Sequence, residues 1–106
     1  MIYHITSTAE WENAVKSGGY TPQAFEHDGF IHCSDFSQVV DTANRYYPSA
    51  PNLVVLVIDT EKSGALLVYE NLDGGTMLFP HLYGPLPVAA VVGIFTFALD
   101  VDGKFA

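Results

Sequence analysis

Six consecutive aliphatic residues, Leu53-Val54-Val55-Leu56-Val57-Ile58, constrain the fold more than any other stretch of the chain. A run this short and this rich in valine reads as a strand, and the absence of alternating polar residues means both of its faces are covered. The chain must therefore supply apolar partners on two sides of a sheet. At 106 residues, 49% hydrophobic and 15% charged, it has the material for one core, with about 65% of the unfolded surface removed from water on folding. A single domain spanning residues 1–106 is expected.

The elements around that strand follow from local signals. Ile2 to Ile5 reads as a short first strand. Ser7, with Glu10 three positions on, opens a helix in capping-box spacing, and Trp11, Ala14 and Val15 give it an inward stripe. Gly18-Gly19 ends it. A loop through Pro22 to Asp28 leads to a second short strand, Gly29 to Cys33. Asp35 then caps a second helix with Phe36, Val39, Val40 and Ala43 inward, ending near Tyr47-Pro48. Leu66 to Tyr69 is a further strand. Asn71-Leu72-Asp73-Gly74-Gly75 carries turn chemistry, and Met77 to Phe79 continues as its pair. Val88 to Leu99 reads as a long last strand bent at Gly93. The expected class is α+β, with two helices in the first half packed on a mostly antiparallel sheet built largely by the second.

Charge narrows the partners. Four basic residues against twelve acidic ones leave a net charge of −8. Lys16, Arg45, Lys62 and Lys104 are scattered, and phosphate backbones need clustered cations, so no nucleic acid is expected. The longest apolar stretch, Leu86 to Leu99, falls short of the roughly 20 residues that span a bilayer. Met1-Ile2-Tyr3-His4 shows no secretory pattern, and the single Cys33 forms no internal disulfide. A cytoplasmic protein without membrane contact is the expectation; the sequence leaves its oligomeric state open.

Chemistry concentrates on histidine, the side chain most easily tuned across neutral pH. His4 is followed two positions later by Thr6, and His32 by Ser34. In a strand each pair shares a face, presenting imidazole and hydroxyl together to one cleft. His81 and Tyr83 sit in Phe79-Pro80-His81-Leu82-Tyr83-Gly84-Pro85-Leu86-Pro87, read as a loop held rigid by its prolines. That loop suits either a small-molecule site or a stiff connection. Each histidine also admits a plainer role, bonded to backbone at a sheet edge. Glu70, at a strand end, offers a carboxylate. No Cys-x₂-Cys or His-x₃-His pair is present, so no metal is predicted. Cys33 neighbours His32 but points to the opposite face, which makes it a core residue rather than a nucleophile.

These residues carry a resemblance. Tyr3-His4-Ile5-Thr6, Trp11 and Ala14, Gly29-Phe30-Ile31-His32-Cys33-Ser34, Gln38, Ala43-Asn44-Arg45-Tyr46-Tyr47, Leu56-Val57-Ile58-Asp59, Tyr69-Glu70 and Phe79-Pro80-His81-Leu82-Tyr83-Gly84-Pro85-Leu86 resemble the DUF952 family of small bacterial proteins, whose function is unassigned. His27 lies outside these motifs. The family is thought to be similar in fold to the ADP-ribosyltransferases, which implies a split β-sheet around an NAD cleft. On that resemblance His4 looks like the first-strand residue that holds the ribose and amide region, and His32 or Ser34 like the second-strand support. Glu70 is the candidate for the directing carboxylate. Thr6, His81 and Tyr83 would add ligand contacts. NAD is the candidate cofactor, although one arginine in a chain of charge −8 leaves its pyrophosphate to backbone N–H groups, a helix N-terminus and histidines. The alternative is a non-catalytic module that binds a small metabolite in the same cleft, for which a neutral or cationic ligand fits the charge better. A toxin–antitoxin or other protein-interaction role would show instead as a large exposed apolar patch.

Overall fold

A computed structural model describes residues 1–22, 25–48, 50–71 and 74–96. Strand β4, Leu53–Ile58, lies in the middle of a three-stranded antiparallel sheet between β1, Ile2–Ser7, and β8, Val91–Thr96. Its two faces are covered by different layers, as the unbroken aliphatic run requires. Val55 packs with Ile5 against Val39 and Ala43 of helix α3, Val39–Tyr46. Val54, Leu56 and Ile58 join Ile2 in the main core, with Ala14 of helix α1, Thr8–Ser17, and with Tyr20, Ile31, Leu82 and Leu86.

Those last residues belong to further sheets. Strand β3, Ile31–His32, pairs with β6, Phe79–Tyr83, which also pairs with β5, Leu66–Glu70. A two-stranded ribbon joins β2, Gly19–Tyr20, to β7, Leu86–Pro87. The two three-stranded sheets touch at one bridge: Tyr3 and Ser34 exchange backbone hydrogen bonds of 2.9 and 2.7 Å. All these pairings are antiparallel. The α+β class and the antiparallel sheet therefore match the expectation. No described helix is long and apolar enough to cross a membrane.

Several local readings need correction. In α1, Ser7 does accept from the Glu10 N–H (3.1 Å), but the Glu10 carboxylate turns to Thr6 (2.7 Å). Only Ala14 of the inward stripe is fully buried; Trp11 is half-buried and Val15 lies 53% exposed. Gly18 ends the helix at φ 89°, the left-handed value glycine tolerates best. A one-turn helix α2, Phe25–Asp28, lies within the loop read through Pro22 to Asp28, and another, α4, Thr60–Ser63, follows β4. A 3-10 turn, Phe36–Gln38, precedes α3 and leaves Phe36 67% exposed instead of inward.

The proline-rich stretch read as a rigid loop is in large part strand β6, which begins at Phe79 and excludes Met77 and Leu78. Pro80 sits inside it because its carbonyl accepts from the Cys33 N–H (3.0 Å). Its missing N–H faces the same side, just past the end of the two-residue β3. The final strand is shorter than expected: Val88–Ala90 form a 3-10 turn, and residues 97–99 lie outside the described residues. Near Gly93 the ladder is irregular: the register slips between Val57↔Gly93 and Ile58↔Val91, leaving Val92 as the extra residue. Leu72 and Asp73 of the expected turn are outside the described residues; beside them Asn71 donates to the Met77 carbonyl (2.6 Å) and accepts from the Gly75 N–H (3.2 Å).

Candidate functional site

Alternation along β1 sends Ile2, His4 and Thr6 to the face opposite α3. Ile2 fills the core, while His4 and Thr6 are buried polar groups that need partners. His4 Nδ1 lies 2.6 Å from the His32 carbonyl, which only accepts, so this nitrogen carries a proton. His4 Nε2 lies 2.7 Å from the Tyr20 hydroxyl, which lies 2.9 Å from Thr6 Oγ1. The imidazole and hydroxyl read as sharing a face thus share a third partner, Tyr20. Nothing in a two-residue strand after Gly18 singled Tyr20 out, and Glu10, which ends the row at Thr6, looked like a helix cap.

A second row is assembled by sheet register. His32 and His81 are directly opposed on β3 and β6, and His32 Nδ1 lies 3.0 Å from His81 Nε2. Glu70 sits diagonally from His81, since Val68 faces His81 and Glu70 faces Phe79. Its carboxylate meets His81 Nδ1 at 2.9 Å and also accepts from the Tyr83 hydroxyl. Phe30 stacks on the His81 ring, with centroids 4.2 Å apart and planes 17° apart, which fixes the imidazole plane.

The rows border two cavities that meet at His32. One, about 740 Å³, is lined by His4, Thr6, Glu10, Tyr20, His32 and Ser34 among others. The other, about 650 Å³, is lined by His32, Glu70, His81, Phe30, Tyr46 and Phe79 among others. Phe30, His32, Thr42 and Tyr47 border both. The cleft therefore gathers His4, Thr6, His32, Ser34, Glu70 and His81. Ser34 contributes mainly as the seam between the sheets, and its hydroxyl donates to Thr42 (3.3 Å). Tyr83 lines neither cavity and touches the cleft through Glu70, to which its hydroxyl donates, and through the Phe30 ring, 5.4 Å away between centroids. His27, set aside on sequence, stands exposed beside Asp28 at the edge of both.

Burial pushes the His4 imidazole down to about 4, so it is neutral at physiological pH. Burial likewise raises the Tyr20 phenol and the Cys33 thiol. Cys33 Sγ lies against the Ile31 carbonyl in the core, as its strand parity predicted. Glu70 is held below the usual carboxylate range by hydrogen bonds from Tyr83 and then His81, and the same bond raises the Tyr83 phenol. Among the described residues no Lys or Arg lines either cavity; Arg45 lines a separate hollow with Asp41 and Gln38. Three carboxylates, Glu10, Asp28 and Glu70, do line them. No group of three or more His, Cys, Asp or Glu among the described residues is placed to hold a metal.

The profile of the DUF952 family, described as a protein of unknown function, matches residues 5–94. The crystal structure of protein CC0527 from Caulobacter crescentus is 39% identical and superposes with a TM-score of 0.86, covering 99% of this chain and 92% of that one. A double mutant of the same protein gives the same values. Its solution NMR structure gives 0.83, with 97% and 89% covered. No curated protein matches the chain.

Proposed function

The chain belongs to the DUF952 family, whose function is unknown, and from its cleft we propose that it binds a small neutral or cationic organic molecule, on which Glu70, His81 and His32 act as an acid–base unit. The unbroken row from Glu70 through His81 to His32 carries this reading. Glu70, held anionic, fixes the proton of His81 on Nδ1. His81 Nε2 is then an acceptor, which fixes the proton of His32 on Nδ1. A proton reaching the His32 ring, whose Nε2 is itself buried, is compensated when Nδ1 passes its own to His81, beside the carboxylate. His32 is the member of the row that borders both cavities.

The tautomer of His32 tests the unit. Ring ¹⁵N resonances should report Nδ1–H in the native chain and lose that preference in Glu70→Gln. An Nε2–H tautomer in the native chain would end the proposal. For the ligand, cationic and neutral fragments should shift the amides of residues 30–34 and 79–83, and phosphates should not. His81→Ala should abolish those shifts.

A second reading is ADP-ribosyltransferase-like glycosyl transfer from NAD. Its support is the split between two sheets joined at Tyr3 and Ser34, with His4 on one side and His32 and Ser34 on the other. Against it, both ring nitrogens of His4 are already engaged, and no Lys or Arg among the described residues faces a pyrophosphate. NAD should then shift the amides around His4, His32 and Ser34; silence at millimolar NAD ends this reading.

A further inference from the structure

The cleft wall made by β1, α1 and β2 holds a row of side chains that the Glu70 unit does not use. Glu10 Oε2 lies 2.7 Å from Thr6 Oγ1, Thr6 Oγ1 2.9 Å from the Tyr20 hydroxyl, and that hydroxyl 2.7 Å from His4 Nε2. His4 Nδ1 completes the row at the His32 carbonyl, 2.6 Å away. Four contacts need four protons. His4 Nδ1 supplies one, and the Tyr20 and Thr6 hydroxyls supply one each. With Glu10 ionised and His4 neutral, the row is one proton short.

Two arrangements fill it. In the first, Glu10 is a carboxylic acid and every O–H points toward His4: Glu10 donates to Thr6, Thr6 to Tyr20, Tyr20 to Nε2. In the second, Glu10 is a carboxylate, His4 is an imidazolium, and every donor points toward Glu10. The first becomes the second when Glu10 gives its proton to Thr6, Thr6 gives its own to Tyr20, and Tyr20 gives its own to Nε2. Each hydroxyl keeps one proton, and no bond between heavy atoms changes.

We propose that Glu10, Thr6, Tyr20 and His4 are a second proton-holding unit of the cleft, taking one proton from solvent at Glu10 and sharing it with His4. Glu10 is exposed and lines the cavity, so it has access to both solvent and ligand. Burial disfavours the imidazolium of the second arrangement. The titratable groups facing the row are His32 from β3, Cys33 just after it, Tyr47 beyond α3, and His27 and Asp28 from α2. The unit stands apart from the Glu70 row, meeting it at His32, whose carbonyl takes His4 and whose ring takes His81.

The test follows the His4 ring ¹⁵N and Glu10 carboxyl ¹³C resonances of the full chain against pH. His4 should keep its Nδ1–H tautomer, and its Nε2 resonance should shift with the same midpoint as the Glu10 carboxyl. In Glu10→Gln, whose amide N–H stands in for the acid proton, that step should vanish with His4 still neutral. In Tyr20→Phe, Glu10 should titrate without a response at His4. Separate midpoints in the native chain, an Nε2 resonance indifferent to Glu10, or a step that survives in Glu10→Gln would overturn the proposal. The native-chain measurement decides alone if Tyr20→Phe does not fold. None of these results bears on the His32 tautomer, so the two units stand or fall separately.

Discussion

His4 is buried as a neutral imidazole, and that has a measurable cost in acid. The unfolded side chain titrates near 6.5 and the folded one near 4. Between those values the unfolded chain binds a proton that the native state does not, so stability rises with pH there. His4's contribution is complete above 6.5 and lost as pH falls through about 4, a span worth about 3 kcal/mol at about 1.4 kcal/mol per pH unit. Urea midpoints should therefore fall across this window in the native chain and fall less steeply in His4→Gln; an unchanged slope would place the proton uptake elsewhere. Cys33 makes a second test at the same scale. Its thiol is 1% exposed and its thiolate is disfavoured by burial, so it should resist alkylation until denaturant is added. Rapid labelling of the folded chain would show that the segment after β3, tied to Pro80, opens.

Strand β4 sets the stability of the elements around it. Leu56 is fully buried in its centre, so Leu56→Ala should cost about 2–5 kcal/mol by the usual range for buried leucine. Val92, 47% exposed where the β8 register slips, should lose well under about 1 kcal/mol on the same truncation. Equal losses in urea melts would mean that β8 is covered on its outer side. The same contrast explains what could be read from sequence. The run Leu53 to Ile58, the Ser7 cap and the Gly18 stop are local patterns, and each fell where local chemistry put it. The helix α4 has a cap at Asp59 and a left-handed Gly64, but four residues carry no periodicity. Strand β6 was hidden by Pro80, since proline is normally barred from an inner strand. Here a two-residue β3 leaves its nitrogen side tolerable. The site was legible as parts: His4 with Thr6, and the motifs around His32 and His81. Its wiring was not, because opposing His32 to His81 and setting Glu70 diagonal to His81 depends on register between strands far apart in the chain.

Across the whole molecule, the net charge of −8 acts at the cleft through where the charges fall. Glu10, Asp28 and Glu70 line it, while among the described residues Lys16, Arg45 and Lys62 do not. The N-terminus of α1, whose Ser7 and Glu10 line the cavity, is already capped by Ser7 and carries Glu10 in its first turn, which removes the usual anion site there. A pyrophosphate entering this cleft therefore meets carboxylates with no cation among the described residues to offset them, whereas a pyridinium meets a favourable field and a lining that includes Phe30, Tyr46 and Tyr47. Nicotinamide riboside and NAD share the pyridinium and differ by the pyrophosphate and adenosine, so the pair separates the two contributions. At low salt the riboside should bind at least as tightly as NAD, and added salt should weaken the riboside and narrow the gap as the carboxylates are screened. Tighter binding of NAD at low salt would mean that backbone N–H groups outweigh the carboxylates, and would return the dinucleotide reading to first place. Binding of neither would remove nicotinamide chemistry from the cleft, and leave the Glu70–His81–His32 unit to be judged by the tautomer of His32 alone.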